Sequence, residues 1–523
     1  MDAQHARKHA HEIIIVGAGP TGLALAAELA LARCDVAVIE RRTDQRVEGL
    51  RAGGLHSRTI ELLDQRGIAE RFLSQGQRAQ LAGFARVALD ASDLRTRHNY
   101  GLVLGQEQIE QLLFEWASEL PRIPDPLARH EWMRTASTMT SRGSEEQGRA
   151  LGVRFYRGVS MTDFEQSHES VDVVLSDGER LAAQLLVGCD GGRSLVRKRA
   201  GIDFVGTDAQ TSYVLAEVTF RDEPAWGLRY GAAGVHAIAK LPEKGRARVV
   251  LSEPFRGQPR EVTLDELRAL LITVFATDFG LESASWLSRF SDATRQATRY
   301  REGRVLLAGD AAHVHSPVGG QGLNTGVHDA FNLGWKLAQV VRGQSPESLL
   351  DSYHRERHPV AAQVLRTTLA QTALDRDDPR CAAMRESLAE LLRMDEPRRR
   401  YAAMMAGLDV RYDFGAEHPL VGRRAPDFEL RVDGALVSLY SLMHQGHGVL
   451  LDLGCDCESS ARAYRERVRY VRAEYDGRWE LANGTAVAAS RAVLVRPDGH
   501  VAWVGDEASD ELEASLRRWF GGT

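Results

Sequence analysis

The stretch "EIIIVGAGPTGLALAAELALARCDVAVIE", residues 12–40, decides how this chain begins to fold. An apolar run leads directly into glycines at 17, 19 and 22. The Ala- and Leu-rich segment behind them suits a helix lying close on a sheet, and "DVAVIE" repeats Val and Ile as a strand buried on both faces does. The reading is a βαβ unit. In it Gly17 permits a tight turn, Gly19 lets the backbone approach a pyrophosphate, and Gly22 lets helix and sheet touch. Pro20 and Thr21 open the helix, whose free amides and positive end favour phosphate. Glu40 closes the second strand, where a carboxylate accepts ribose hydroxyls and repels a ribose 2′-phosphate. Together with Arg41 beside it, this half-site is suited to FAD or NAD rather than NADP.

A second stretch, "LLAGDAAHVHSPVGGQGLNTG" at 306–326, interrupts an apolar strand with Asp310, then Pro317, then a cluster of glycines before a long helix resumes. Asp310 stands at the carboxyl end of its strand, where open parallel sheets gather their ligands. A carboxylate there accepts a hydrogen bond from a polyol chain; its plainer role is a helix cap. The glycines that follow let backbone approach a flat ring, with the amides near Leu323 and Asn324 offered to an electron-rich pyrimidine edge. His313 and His315 lack a convergent ligand set, so no metal is expected.

Taken with "CDGGRSLVR" (189–197) and "NLGWKLA" (332–338), these motifs resemble the FAD-dependent aromatic hydroxylases, single-component flavoprotein monooxygenases related to p-hydroxybenzoate hydroxylase. The likeness runs from residue 12 to about 415 and is greatest to the longer bacterial branch that acts on polyketides, whose thioredoxin-like extension the C-terminal unit resembles. It implies tightly bound, non-covalent FAD, NADPH or NADH as a transient co-substrate, and O2. The reaction it implies is hydroxylation of a bulky phenol or quinone, an aromatic polyketide, through a flavin C4a-hydroperoxide. Baeyer–Villiger oxygenation of a polycyclic ketone stays open, as does, more remotely, a non-enzymatic flavin-containing interaction protein.

By the same resemblance, Glu40 binds the adenosine ribose, Arg51 lies by the pyrophosphate and flavin, and Gln106 lies near the ribityl or phosphate region. Asp190, Gly191 and Arg197 bridge FAD and nicotinamide binding, although an Asp-Gly turn that only reverses the chain stays open. Asp310 holds the ribityl chain, Pro317 lies beside the ring, and the 319–324 backbone, with Gly319, Gly320, Gly322, Leu323 and Asn324, lies beneath it; Pro317, Gly319 and Gly320 are the flavin-adjacent backbone assigned to catalysis, with no acid–base residue. His56 and Arg58 either face substrate or belong to a helix start packed under the flavin. Position 49 is Gly, so an Arg that could assist a small carboxylate is absent there.

The rest of the chain frames these sites. Of 523 residues, 43% are hydrophobic and 26% charged, and the net charge of −6 gives no bulk reason to expect nucleic acid. No run is long and apolar enough for a membrane span, and five scattered Cys with no signal-like N-terminus point to the cytoplasm. The expected class is α/β. A discontinuous Rossmann-like FAD-binding domain takes 11–85, 105–204 and 296–355, and a sheet-based substrate domain takes 86–104 with 205–295. A helical segment spans 356–415 and the thioredoxin-like domain 420–523. Residues 121–150, Pro-rich at the start and polar after it, read as a surface insertion or a lid. "SARAYRERVRYVR" (460–472) reads as helix. Cys455 and Cys457, one residue apart, lack the two-residue spacing of thioredoxin chemistry, so a structural role is expected. A homodimer is expected from the resemblance alone.

Overall fold

The computed structural model describes residues 9–522 except 48, 50–52, 121–151, 232–233, 242–244, 256, 258–260, 476 and 489. Arg51 and the 121–150 insertion therefore lie outside the described residues. Three parallel strands form the centre of an eight-stranded sheet. His9–Val16 lies between Asp35–Glu40 and Arg180–Gly188, and Val305–Leu307 joins on the far side of the last. The registers Ile15↔Val38, Ile15↔Val187 and Val187↔Leu306 bring the carboxyl ends of all four strands to one edge. Gly17, Glu40, Asp190 and Asp310 follow those ends, so residues far apart in sequence meet at one crevice.

The helix Pro20–Leu31 packs on this sheet and against the helix Gln321–Val341. Their approach is too close for side chains at the contact. A Cβ on Gly22 would lie 1.9 Å from the Gly17 carbonyl oxygen, and one on Gly326 would lie 2.2 Å from Thr21 Oγ1. Gly19 differs, because a Cβ there meets no described atom within 4 Å.

The chain leaves this unit along Phe204–Thr207 and returns along Thr294–Ala297, and the two pair antiparallel as a neck. Between them stands a five-stranded antiparallel sheet. Its strand Thr211–Phe220, flanked by two others, alternates: Val214, Ala216 and Val218 pack under the helix Leu264–Phe275, and Tyr213, Leu215 and Glu217 take the opposite face. Within 86–104, Val87–Ala88 pairs with Gly83–Phe84 and Gly101–Val103 with Gln77–Ala79. Leu89, Ala91 and Leu94 pack against residues of the helices Pro379–Leu392 and Asp395–Met405.

The C-terminal unit is a separate four-stranded sheet. Val468–Arg472 runs parallel to Gly448–Asp452, which pairs antiparallel with Ala492–Val495, and Val501–Gly505 forms the edge. The segment 460–472, expected as helix, is a short turn of helix followed by a strand. Its last five residues, "VRYVR", bury Val468 and Val471, and pairing with the neighbouring strand outweighs the helix preference that the Arg, Ala and Glu of the segment supply. No helix among the described residues is long and apolar enough to cross a membrane.

The glycine contacts make a sharp prediction about stability. Gly326→Ala should lower the melting temperature of the cofactor-free protein by several degrees, since overpacking costs about 1–3 kcal/mol. Gly19→Ala, with open space around it, should leave that temperature nearly unchanged in the same thermal-unfolding measurement.

Candidate functional site

The crevice begins where His9–Val16 ends. Gly17 has φ +105°, and a Cβ on it would lie 2.4 Å from the Cys189 carbonyl oxygen, so only glycine turns the chain here. The helix Pro20–Leu31 has Gly19 as N-cap with no side-chain cap, leaving its first amides free for an anion. Glu40 is buried and reaches back to this loop: Oε2 accepts from the Ala18 N–H at 2.7 Å, and Oε1 from Arg42 N and Nε at 3.0 and 3.1 Å. Burial opposes the charge, but the Arg42 and Ala18 amides and the Arg42 guanidinium outweigh it and hold the carboxyl below its ordinary range.

Arg42, rather than its exposed neighbour Arg41, points inward. Its guanidinium also donates to Glu110 at 3.0 Å and to the Ala18 carbonyl at 3.0 Å. Gln106 donates to the other oxygen of Glu110 at 2.7 Å, so it reaches the glycine loop through Glu110 and Arg42. Sequence reasoning passed over Arg42 and Glu110. Glu110 carried a readable signal, one turn beyond Gln106 on the same helix face.

On the other side of the crevice, Asp190 Oδ2 accepts the Leu195 and Val196 amides at 2.6 and 3.1 Å and caps the short helix Leu195–Arg199. Its Oδ1 is buried and has no hydrogen-bond partner among the described residues. Arg197 is buried, donating to the Ala311 carbonyl at 2.8 Å and the Gly192 carbonyl at 3.0 Å, 3.7 Å over the Phe204 ring. It thereby ties the Asp190 turn to the Asp310 turn. Asp310 is exposed at the crevice, and a Cβ built on Gly322 would lie 3.9 Å from its Oδ1.

Behind Pro317 comes an arc of backbone. Gly319 and Gly320, φ +74° and +63°, are both left-handed, and the long helix opens at Gln321. A side chain on Gly319 would meet Met405, and one on Gly320 would approach His56. The His56 ring hydrogen-bonds the Gly319 backbone. Asn324 locks the arrangement: its Oδ1 accepts from His56 N at 2.8 Å and Thr59 Oγ1 at 2.7 Å, and its Nδ2 donates to the Gly320 carbonyl at 2.9 Å. The Asn324 side chain thus holds the arc, a role beyond the backbone contact expected of it. Arg58 turns away from the arc and donates to the Asp498 carbonyl at 2.8 Å.

The five-stranded sheet meets the arc near Ser316, whose side chain lies close to the Tyr213 phenol. Tyr213 stacks on Phe290 with centroids 5.0 Å apart. Trp286, four residues before Phe290 on the same strand, covers Gly49 so closely that a Cβ there would lie 2.2 Å from the indole. His313 is engaged by Asp329 and His315 by the Ser316 carbonyl. Among the described residues no group of three or more His, Cys, Asp and Glu could hold a metal.

Comparison with known proteins agrees with this geometry. Residues 10–125 and 127–368 match the family model described as FAD binding domain, and 418–523 match aromatic-ring hydroxylase, C-terminal. The chain is 40% identical to the 12-dehydrotetracycline 5-monooxygenase/anhydrotetracycline 6-monooxygenase of Streptomyces rimosus subsp. rimosus, over 98% of this chain and 99% of that one. It is also 40% identical to the rifampicin monooxygenase of Streptomyces venezuelae, over 98% of each. The solved structure of the anhydrotetracycline hydroxylase from Streptomyces rimosus superposes with a TM-score of 0.85 at 40% identity, covering 98% of this chain and 99% of that one.

Burial pushes His56 and His315 down to about 4, so both rings are neutral at neutral pH. Between pH 6.5 and 4 the unfolded chain takes up protons at these positions that the folded chain does not. Stability should therefore fall as pH drops through that window, by on the order of 3 kcal/mol per group at its acid end. His56→Gln should make the acid limb shallower in thermal unfolding followed against pH.

Proposed function

Because the chain belongs to the FAD-binding aromatic-ring hydroxylases, it is a flavin-dependent monooxygenase, and we propose that its own substrate is a bulky, multi-ring phenol or quinone of the aromatic polyketide class. The observation that carries the substrate reading is the aromatic wall of Tyr213, Phe290 and Trp286 beside the glycine arc. Trp286 fills the space beside Gly49, leaving no room there for a cation that would pair with a small benzoate. The named relatives, which act on tetracycline intermediates and rifampicin, point the same way.

The residues present fit FAD. The open helix start at Gly19, the unpartnered Asp190 Oδ1, the exposed Asp310 and the left-handed Gly319–Gly320 backbone form a cradle that added side chains would fill or strain. In our reading Gly17, Gly19, Pro20, Thr21 and Gly22 face or shape the pyrophosphate, with Arg41 nearby. Glu40 takes the adenosine ribose, and Gln106 acts through Glu110. Asp310 takes the ribityl chain; Asp190, Gly191 and Arg197 shape the boundary with NADPH or NADH. Pro317, Gly319 and Gly320 flank the ring and Gly322, Leu323 and Asn324 lie beneath it. The chemistry that bound FAD would supply there, with electrons from the nicotinamide, is transfer of one atom of O2 to an electron-rich carbon and release of the other as water. The protein orients the phenol against the arc, and the Tyr213–Phe290 wall excludes water.

We divide the labour along the expected boundaries. Segments 11–85, 105–204 and 296–355 hold the cofactor, 86–104 with 205–295 face substrate, and 356–415 link them to 420–523. We read the last as thioredoxin-like in topology. Its two parallel strands, two antiparallel strands and closing helix Asp510–Phe520 support that reading. We assign it a structural role without thiol chemistry, which burial and the Asp452 carboxylate support by pushing the Cys457 thiol up, with Cys455 raised as well. A cytoplasmic site suits the five free cysteines, and exposed Met384, Leu391 and Met394 offer a patch for a homodimer.

Purified protein should be yellow with about one FAD per chain. Asp310→Ala should weaken FAD binding by about 1.5–3 kcal/mol, roughly ten- to a hundredfold, read by flavin fluorescence titration. On fused-ring phenols with labelled oxygen gas, product mass should rise by one oxygen on an intact carbon skeleton. Efficient coupled turnover of a simple benzoate, with none on fused-ring phenols, would remove the substrate assignment. Cys455→Ser combined with Cys457→Ser should leave hydroxylation within about twofold of wild type in a coupled NADPH-oxidation assay.

A further inference from the structure

The turn that joins Ala492–Val495 to Val501–Gly505 leaves the C-terminal sheet and is buried against the cofactor unit. Every side of it is held by a charged or polar group. Arg66 donates to the Pro497 carbonyl and Arg58 to the Asp498 carbonyl, both at 2.8 Å, and Asn332 donates to Asp498 Oδ2 at 3.1 Å. Arg496 binds both oxygens of Glu356, at 2.8 and 2.7 Å, and also pairs with Asp498. A Cβ on Gly499 would lie 2.5 Å from the Gln65 side chain, so the turn fits without slack. Arg58, Arg66, Glu356, Arg496 and Asp498 are all buried. Buried ion pairs are a weak source of stability relative to apolar packing, but they tolerate little displacement.

Two contacts of the C-terminal unit converge on the helix Ser57–Asp64. Arg58 links Asp498 to Glu61, its neighbour one turn along at 3.1 Å, and Glu61 in turn pairs with Arg424 of the C-terminal unit at 2.8 Å. The N-cap of the same helix is His56, whose ring holds the Gly319 backbone and whose amide is held by Asn324. Thr59, in the same first turn, binds the same Asn324 oxygen. The first turn of this helix is therefore gripped on one side by the C-terminal turn and grips, on the other, the Gly319–Gly320 arc.

We infer that the C-terminal domain is a working part of the flavin site, with Arg58 the positioning residue that fixes the glycine arc through His56 and Asn324 from the 496–500 turn. The inference rests on the assignment of that arc to the flavin. It gives the C-terminal domain a task independent of thiol chemistry.

The test uses full-length Arg58→Gln and Arg58→Lys beside wild type. The Gln variant should bind FAD roughly tenfold more weakly, about the loss of one charge-assisted hydrogen bond. It should also alter the visible circular dichroism of the bound flavin and divert NADPH oxidation to peroxide. The Lys variant, which keeps a donor, should recover most of each signal. A role confined to holding the fold would lower the melting temperature without moving the spectrum or the peroxide fraction. If Arg58→Gln does not fold, Arg424→Gln, which loosens Glu61 on the same helix, should give the same signature in smaller measure. A yellow wild type with a folded Arg58→Gln or Arg424→Gln equal to it in affinity, spectrum and coupling overturns the inference. Wild type that takes up no FAD overturns the assignment of the arc instead.

Discussion

The carboxylate of Asp329 is fully buried and accepts from three sides: the Gly309 amide at 3.1 Å, the His313 ring at 2.7 Å and Arg357 at 2.7 Å. Burial alone would neutralise such a group, but Arg357 and His313 pull it down to about 2 and keep it ionised. Much of the crevice follows from that single charge. Gly309 precedes Asp310, so the position of the carboxylate exposed at the crevice is set by the hidden one. Arg357 also meets the Tyr412 hydroxyl and the Thr325 carbonyl, which brings the helix Asp351–Leu374 against the helix Gln321–Val341. Leaving any of these charges unpaired in the interior would cost several kcal/mol, so the arrangement has little freedom to relax.

A second constraint is distance. Thr21 is wedged between Gly309 and Gly326, and Gly334 lies against Glu28, so the first and the long helix run nearly backbone to backbone. That contact joins the first nucleotide motif to the second, almost three hundred residues later in the chain. The glycines thus divide by what surrounds them. Gly17, Gly22, Gly309 and Gly326 are crowded by protein and serve packing, while Gly19 and Gly191 face open space, and Gly191 is left-handed at φ +79°.

The interior is also unusually ionic. Arg58, Arg66, Arg197, Arg357, Arg424 and Arg496 are all buried, and Arg496 lies against Trp335, Trp519 and Phe414. A planar guanidinium satisfies carboxylates and carbonyls while stacking on aromatic rings, which an ammonium does less well. Surface pairs contribute at most about 1 kcal/mol, whereas removing one partner of a buried pair costs about 3–5 kcal/mol. These interior pairs therefore fix how the C-terminal sheet sits on the cofactor unit.

The βαβ unit, the Asp310 turn, the change to an antiparallel sheet after 205 and the separate C-terminal unit were legible from residues 12–40 and 306–326 and from periodicity. Each depends on local rules: which residues turn a backbone, which alternate, which leave room for a phosphate. What lay beyond reach depends on partners distant in the chain. Arg41 and Arg42 are adjacent and chemically identical, and only the path of the loop points one inward to Glu110. Arg58 read equally as a substrate contact until the carbonyl of Asp498, 440 residues later, claimed it. "VRYVR" became a strand because Gly448–Asp452 lay beside it. A sequence by itself determines the conformations a backbone can adopt and the chemistry it carries; tertiary structure alone decides which buried donor meets which acceptor, because that choice is made by packing across the whole chain.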